Sequence, residues 1–226
     1  MKIVAAGENS LILYFAEEFS PEISDRVQHA VYQLEREVPG VLIDLVPSYA
    51  SLLVIYDLHK VDFATLSAQI KARLESDSSA KGRAIGKLVE LPVYYSQESG
   101  PDLASLARRA KLSVDEVVAL HLAREYSVYA IGFAPGFAYL GEVDERIAIP
   151  RLASPRPVVA RGSVGIAGLQ TAVYPASSPG GWNLIGRCPL RMFSLSTDPP
   201  MPVAVGDRVR FRAIDREDFL AMGGEL

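Results

Sequence analysis

The sequence of 226 residues predicts an α+β protein with two domains. In the first third of the chain, short strand-like apolar runs alternate with two segments of helical period. From Tyr126 onward the pattern changes to short apolar runs separated by glycine and proline, which is typical of a closed or nearly closed β-barrel. Residues 76–86 are small, polar and charged, so they are the predicted linker between domains spanning 1–84 and 85–226.

Two helices are predicted in the N-terminal domain. Ser20 followed by Pro21 indicates the start of the first, whose apolar residues recur at helical spacing as far as Pro39-Gly40. Asp62 is the predicted N-cap of the second. The order β, α, β, β, α, followed by a further strand, predicts a split βαβ, or ferredoxin-like, sandwich of about 90 residues. The strand-like runs occupy residues 2–7, 10–15, 41–46, 51–56 and 87–95.

The C-terminal domain is predicted to begin with a helical insertion that covers one end of the barrel. Its two helices span about 101–111 and 113–124, and Ser113 with Glu116 predicts a capping box on the second. The pair is unlike a DNA-binding helix-turn-helix because no basic face supplies phosphate contacts. A terminal helical turn is predicted over 216–222. Predicted barrel strands cover 126–133, 147–149, 158–159, 164–167, 171–174, 182–186, 190–193 and 208–214.

Composition excludes several classes of protein. The net charge is −4 and no run of lysine and arginine forms a basic arm, which argues against general nucleic-acid binding. No segment approaches the roughly 20 apolar residues of a membrane span, and no signal peptide core is present, so a cytoplasmic protein is expected. Cys188 is the only cysteine, which excludes an internal disulfide, and three histidines without cysteine make a zinc site improbable.

Three glycine-rich loops are the candidate sites of chemistry. They span residues 132–137, 162–165 and 177–183, and the surrounding stretch of 126–193 holds more than half of the 17 glycines. Such loops either direct backbone N–H groups at an oxyanion or form tight corners of a barrel, and the sequence leaves both interpretations open. The common nucleotide-binding and hydrolase motifs are absent, including GxxxxGK[ST], GxGxxG, HExxH and GxSxG.

Three polar side chains are candidates for proton transfer or hydrogen bonding. His121 shares a helical stripe with Val117 and Val118, which favours a hydrogen-bonded core histidine over a general acid or base. Gln170 and Tyr174 lie four residues apart and are expected on the same side of a strand.

Arginines and one tryptophan complete the candidate set. Arg151, Arg156 and Arg161 follow one another at intervals of five, and each has the chemistry to hold a carboxylate or phosphate in bidentate fashion. Trp182 is interpreted either as a ligand-stacking surface or as a packing anchor. Cys188 has no adjacent histidine, which disfavours a catalytic thiolate.

The stretch from Gly132 to Phe193, beginning GFAPGFAYLG and including ARGSVGIAGLQTAVYPASSPGGWN, closely resembles the signature of the family of 5-oxoprolinase B subunits. This family is also known through the kinase inhibitor KipI and the carboxyltransferase-type domain of allophanate hydrolase. The resemblance extends upstream to residues 100–103 and 117–121 and covers nearly the whole chain. It implies an N-terminal α/β domain followed by a cyclophilin-like β-barrel.

The resemblance also implies an activity and partners. Such a chain is one half of a unit whose other half is a KipA-type C subunit. With a further A subunit, the complex opens 5-oxoproline to L-glutamate at the expense of ATP. ATP is expected at the level of the complex, and the isolated chain is expected to be inactive. No metal site is expected.

The site residues that we expect fall into two groups, which line a cleft completed by the partner. The predicted catalytic residues are His121, Gln170 and Tyr174. The predicted substrate-binding residues are Gly136, Arg151, Arg161, Gly162, Ser163, Gly165, Ser178, Gly180, Gly181, Trp182 and Asn183.

Two alternative functions follow from the same resemblance. One is a KipI-like inhibitor of a sensor histidine kinase, in which no residue of this chain is catalytic. The other is the carboxyltransferase component of a biotin-dependent urea carboxylase or allophanate system. That role requires biotin on a partner, because the chain has no Ala-Met-Lys-Met motif.

Overall fold

The computed structural model describes residues 1–38, 40–76 and 86–226. The chain divides into two compact units, Met1–Ile85 and Gly86–Leu226. Pro39 and most of the predicted linker over 76–86 lie outside the described residues. Within the described ranges, no helix has the length and apolar character needed to cross a membrane.

The N-terminal unit is a four-stranded antiparallel sheet with two helices. One face of the sheet is buried: Leu13 and Val54 from the strands pack in one apolar cluster with Leu34 and Ile70 from the helices. Strand order across the sheet is β1-β2-β4-β3. The elements are β1 (Lys2–Gly7), β2 (Ser10–Tyr14), α1 (Pro21–Glu37), β3 (Leu42–Pro47), β4 (Ser51–Tyr56) and α2 (Phe63–Ser76).

Both predicted helix starts are confirmed. The Ser20 side chain accepts a hydrogen bond from the backbone N–H of Ile23 at 3.3 Å, and Pro21 is the first residue of α1. The Asp62 carboxylate accepts the backbone N–H of Thr65 at 2.7 Å at the start of α2. These caps supply acceptors for N–H groups that have no partner inside the helix.

The ferredoxin-like arrangement of the N-terminal domain is not confirmed. Strand β4 lies between β2 and β3 and pairs antiparallel with both. The outer strand beside β2 is β1, whereas the predicted last strand, β5 (Leu88–Tyr94), belongs to the barrel. There β5 pairs in parallel with β13 (Arg208–Ile214) along its whole length. The prediction was wrong because an apolar run of this kind does not reveal which distant strand it pairs with.

The second unit is a closed seven-stranded barrel of mixed direction, which fits the cyclophilin-like prediction. Around the barrel the order is β10-β7-β6-β13-β5-β12-β9, and β8 and β11 form a separate two-stranded ribbon. The remaining strands are β6 (Glu125–Ile131), β7 (Ala138–Gly141), β8 (Arg156–Val159), β9 (Ser163–Ala167), β10 (Gln170–Val173), β11 (Ser178–Gly180) and β12 (Asn183–Arg187). The helices are α3 (Leu103–Ala110), α4 (Val114–Leu122) and α5 (Arg216–Ala221).

Some predicted strands differ from the observed ones. Strands β7 and β11 were not predicted, because each is only three or four residues long and lies between glycines or prolines. Residues 190–193 form no strand. In place of a strand at 147–149, a 3₁₀ turn spans Glu145–Ile147 and a single bridge joins Ile149 to Gly168.

The helical insertion contributes directly to the barrel core. Leu106 of α3 and Val117 of α4 belong to the same buried cluster as the barrel residues Val128, Ile166 and Phe211. The predicted capping box is present: the N–H of Ser113 donates to the Glu116 carboxylate at 2.7 Å, and the N–H of Glu116 donates to the Ser113 hydroxyl at 3.2 Å.

Candidate functional site

A second apolar cluster lies on the outer face of the barrel wall. Along β10, Val173 belongs to the barrel core whereas Ala172 belongs to this outer cluster, as the alternation of a strand requires. Tyr174, immediately after the strand, also joins the outer cluster. The full set is Phe137, Val159, Ala167, Ala172, Tyr174, Trp182 and Leu184.

Phe137 is the centre of the aromatic part of this outer cluster. Its ring makes edge-to-face contacts with Tyr139, Tyr174 and Trp182, with centroid separations of 4.9, 5.3 and 5.6 Å. Trp182 is only 5% exposed. The structure therefore favours the packing-anchor interpretation of Trp182 over the ligand-stacking one.

Arg151 is the exposed cation of this region. Its guanidinium carbon lies 5.8 Å from the centroid of the Trp182 ring, which is a cation–π geometry. The next residue, Leu152, donates its N–H to the carbonyl of Gly181 at 2.7 Å, so the Arg151 segment is bound to the glycine loop before Trp182. We call Arg151, Ser178, Gly180, Gly181 and Trp182 the arginine rim.

Tyr174 is buried beneath this rim. A Cβ atom on Gly180 would lie 2.4 Å from the Tyr174 hydroxyl oxygen, so only glycine fits there. The backbone N–H of Trp182 donates to the same oxygen, and burial raises the pKa of Tyr174. Tyr174 therefore positions the loop that contains Gly180 and Trp182. Gln170 is half-buried at the opposite end of β10.

His121 lies entirely inside the barrel. Its Nδ1 atom is 2.8 Å from the Tyr95 hydroxyl, and its Nε2 atom is 2.9 Å from the Thr171 hydroxyl. Because Thr171 donates to the carbonyl of Gly165 at 3.0 Å, we assign the proton to Nε2, with Tyr95 donating to Nδ1. Burial lowers the pKa of His121 to about 3. His121 is a hydrogen-bonded core residue, the interpretation that its helical stripe favoured.

Several predicted substrate-binding glycines are required by backbone packing. A Cβ on Gly162 would lie 2.3 Å from the Cys188 carbonyl oxygen, and one on Gly136 would lie 2.5 Å from that of Met192. A Cβ on Gly165 would lie 3.0 Å from the Cβ of Trp182. The N–H of Gly162 is already bonded to the Tyr174 carbonyl at 2.8 Å. These glycines are barrel corners and close strand contacts, so the ligand-binding interpretation is not supported for them.

Two polar residues of the predicted set are also structural. Asn183 is buried, and its side-chain amide donates to the carbonyls of Pro150 and Ile166 at 3.0 and 3.1 Å. Ser163 is buried at the start of β9, and its N–H donates to the Ala160 carbonyl at 3.2 Å. Neither side chain is presented to solvent.

Asp102 and Arg156 form an ion pair next to Trp182 of the arginine rim. The sequence marked Arg156 as a candidate but did not predict its pairing with Asp102. One carboxylate oxygen of Asp102 accepts the N–H of Leu184 at 2.7 Å, and the other lies 2.5 Å from Arg156. Arg156 also donates to the Trp182 carbonyl at 3.3 Å. Arg156 was a candidate for binding the carboxylate of a ligand. It instead binds the Asp102 carboxylate of its own chain. Asp102 lies at the N-cap position of α3 but makes no side-chain capping bond. Its position before a helix is the only local feature of the sequence that could have marked Asp102 as structurally important.

Arg161 does not share the arginine rim. In the β9–β12 pairing, Asn183 lies opposite Ile166 whereas Arg187 lies opposite Ser163. Arg161 is therefore at the far end of these strands from Trp182, since the five residue steps from Trp182 to Arg187 alone span about 16 Å at the rise of a β-strand. Cys188 is buried in this second region, and burial raises the pKa of its thiol to about 12, which excludes a ready thiolate.

Over the ranges 1–38, 40–76 and 86–226, no group of three or more His, Cys, Asp or Glu side chains is arranged to hold a metal ion.

These features define a class of protein: a closed β-barrel of mixed strand direction that carries an aromatic cluster on its wall, with the exposed Arg151 guanidinium over the Trp182 ring. Residues 1–203 match the family described as carboxyltransferase domain, subdomain C and D. The chain belongs to this family, and within it to the relatives of the 5-oxoprolinase B subunits.

Curated relatives match the chain from end to end. The B subunit of 5-oxoprolinase from Bacillus subtilis (strain 168) is 39% identical over 230 residues, which cover 97% of this chain and 95% of that protein. The protein of the same name from Escherichia coli O157:H7 is 37% identical over 208 residues, covering 91% and 92%. The family resemblance drawn from the glycine-rich stretch is confirmed.

The fold also occurs inside a longer chain. The crystal structure of TTHA0988 superimposes with a TM-score of 0.79 at 36% identity and covers 91% of this chain. The match spans only 40% of TTHA0988, so this chain corresponds to about two-fifths of that protein.

Proposed function

We propose that this chain is the B subunit of an ATP-dependent 5-oxoprolinase, in which a KipA-type C subunit with an A subunit completes the enzyme that opens 5-oxo-L-proline to L-glutamate. The observation that supports this most strongly is the match to the Bacillus subtilis B subunit over 97% of this chain and 95% of the relative. The similarity therefore extends over both proteins and is not confined to one shared domain.

The reaction defines what the site must supply. The lactam of 5-oxoproline is an unstrained amide and a poor electrophile, so ATP is needed to activate it. The complex must hold the substrate carboxylate, stabilise charge at the activated centre and position water. We assign the nucleotide to the complex as a whole, as the family resemblance implies.

Arg151 is the group on this chain best suited to the substrate carboxylate. A guanidinium binds a carboxylate through two parallel hydrogen bonds. Stacking on Trp182 at 5.8 Å restricts the Arg151 side chain before substrate arrives. Gly181, which is hydrogen-bonded to Leu152, is partly exposed, as are Ser178 and Gly180 of β11 just before it, and these residues give the substrate a close approach to backbone.

Proton transfer is assigned to a partner subunit. His121 and Tyr174, the predicted acid or base groups of this chain, are both buried and hydrogen-bonded within it. Gln170 carries no ionisable group. The isolated chain is therefore proposed to be inactive, and the assembled enzyme is proposed to work in the cytoplasm, where ATP is available.

Reconstitution tests this function. The A and C subunits from the same organism are purified with and without this chain, and ATP-dependent glutamate formation from 5-oxoproline is measured. Activity is expected only when all three proteins are present, with this chain and the C subunit in equal numbers. Full activity of the A and C subunits without this chain would contradict the proposal.

The name of the matching family also supports a carboxyltransferase role as a second candidate. The same protein mixture can be assayed with bicarbonate, ATP, urea and a biotinylated carrier protein. Carboxylation of urea without glutamate release from 5-oxoproline would favour this alternative.

A further inference from the structure

Arg161 and Arg187 both contact Glu225 in the segment that follows α5. A guanidinium nitrogen of Arg161 lies 3.7 Å from the Glu225 carboxylate, and Arg187 donates a hydrogen bond to the backbone carbonyl of Glu225. The Arg161 side chain is only 24% exposed, whereas that of Glu225 is 82% exposed. Two partly buried cations thus contact one residue, Arg161 through the largely exposed Glu225 carboxylate and Arg187 through the Glu225 backbone carbonyl.

The barrel backbone fixes the two arginines beside each other. The carbonyl of Gly162 accepts the N–H of Cys188 at 2.7 Å, so the residues that follow Arg161 and Arg187 are bonded together. A Cβ on Gly162 would lie 3.3 Å from Cγ of Arg187, which shows that the Arg187 stem runs along this turn. Arg187 is therefore held by the end of β12, and Arg161 by the turn that leads into β9.

One hydrogen-bond donor of this pair has no acceptor among the described residues. The Nε atom of Arg187 is buried and has no hydrogen-bond partner there. Burial and the positive charge of Arg161 lower the pKa of Arg187, whereas Glu225 raises it. A buried N–H donor without an acceptor carries a desolvation cost that an incoming acceptor removes.

We propose that Arg161 and Arg187 form an oxyanion subsite for a phosphate or carboxylate group, in which Glu225 is an internal occupant that the ligand displaces. An exposed ion pair such as that of Glu225 contributes little to stability, so its displacement costs little. A free oxyanion that reaches both guanidiniums makes several charge-assisted hydrogen bonds. This subsite lies at the far end of the strands from the arginine rim and does not depend on the proposed function.

Binding of two simple anions to the full chain tests the subsite. Inorganic phosphate and glutarate are titrated by calorimetry at constant ionic strength. An Arg151→Gln background is used so that the arginine rim does not contribute. In this background Glu225→Gln is expected to tighten binding at least threefold, because it removes the competing carboxylate. Arg161→Gln and Arg187→Lys are each expected to weaken binding at least tenfold.

Arg212→Gln, an exposed arginine on β13, is the matched control and is expected to leave affinity unchanged. Saturable binding of phosphate alone identifies a phosphate subsite, and binding of glutarate alone identifies a carboxylate subsite. Either supports the proposal when the Arg161 and Arg187 variants weaken it. Because Arg187 is partly buried, its variant is checked by thermal unfolding, and Arg161→Gln carries the test where folding is lost. Absence of saturable binding in the Glu225→Gln variant, or equal weakening by Arg212→Gln, overturns the proposal.

Discussion

The Nε2 atom of His121 lies 2.9 Å from the hydroxyl oxygen of Thr171 inside the barrel. The other ring nitrogen lies 2.8 Å from the Tyr95 hydroxyl, and the ring stacks on Phe211 with a centroid separation of 4.5 Å. Both hydrogen-bonding positions of a neutral imidazole are therefore occupied. A proton added to this ring has no carboxylate among these contacts to stabilise it.

The stability of the barrel is expected to fall in mild acid because of His121. Its folded pKa of about 3 is below the ordinary value of about 6.5. The stabilisation is thus fully present above pH 6.5 and is lost as the pH falls towards 3. Linkage gives a loss of about 2 kcal/mol in the free energy of unfolding between about pH 8 and about pH 5. Urea unfolding followed by the fluorescence of Trp182, the only tryptophan, measures it.

The control for this pH dependence is an exposed histidine in the other unit. His121→Gln is expected to remove most of the loss, whereas His59→Gln is expected to keep it. An unchanged pH dependence in the His121→Gln protein would show that another group titrates.

Asp102 is expected to be among the most sensitive charged residues of the barrel. Asp102→Ala leaves the Leu184 N–H and the Arg156 guanidinium without their acceptor and should lower the free energy of unfolding by about 2–4 kcal/mol. Asp102→Asn retains an oxygen for Leu184 and should cost less. Asp115→Ala, an exposed aspartate on α4, should cost less than about 1 kcal/mol. Urea unfolding compares the three, and a near-neutral Asp102→Ala contradicts the structural role.

Alanine variants of Gly162 and Gly168 distinguish the energetic cost of backbone strain from the cost of a steric clash. Both have positive φ, +80° and +60°, but a Cβ on Gly162 would meet the Cys188 carbonyl at 2.3 Å whereas Gly168 has open space. Gly168→Ala should cost about 1 kcal/mol from the left-handed conformation alone. Gly162→Ala should cost at least about 2 kcal/mol more, because backbone must also move. Equal unfolding midpoints for the two variants would refute the close contact at Gly162.

The features that the sequence predicted correctly are those that depend on residues close together in the chain. Helix caps such as Ser113 with Glu116 join residues three apart, and their residue types alone indicate the contact. The helical stripe that contains His121 likewise favoured its burial. Contacts between distant segments were not predictable, such as Asp102 with Leu184, which are 82 residues apart. The ferredoxin-like prediction failed for the same reason, since strand pairing is decided by tertiary packing.

In the candidate site, too, local features were predictable from the sequence and contacts between distant segments were not. The glycine-rich stretch correctly indicated the family, yet most of its glycines serve backbone contacts within the barrel. Residue type could not separate Arg151, which is exposed on Trp182, from Arg156, which is committed to Asp102. The different surroundings of these two arginines depend on which strand ends lie next to each other in the fold, and no local sequence pattern indicates that.

The kinetics of an Arg151 variant test the account most directly. Arg151→Gln in the reconstituted enzyme is expected to raise the KM for 5-oxoproline by roughly 10- to 100-fold, the worth of a charge-assisted bidentate contact. The KM for ATP is expected to stay unchanged, and Arg109→Gln, an exposed arginine on α3, should resemble the unmodified enzyme. Unchanged kcat and KM for 5-oxoproline in the Arg151→Gln enzyme would contradict the assignment of the arginine rim as the wall that binds substrate.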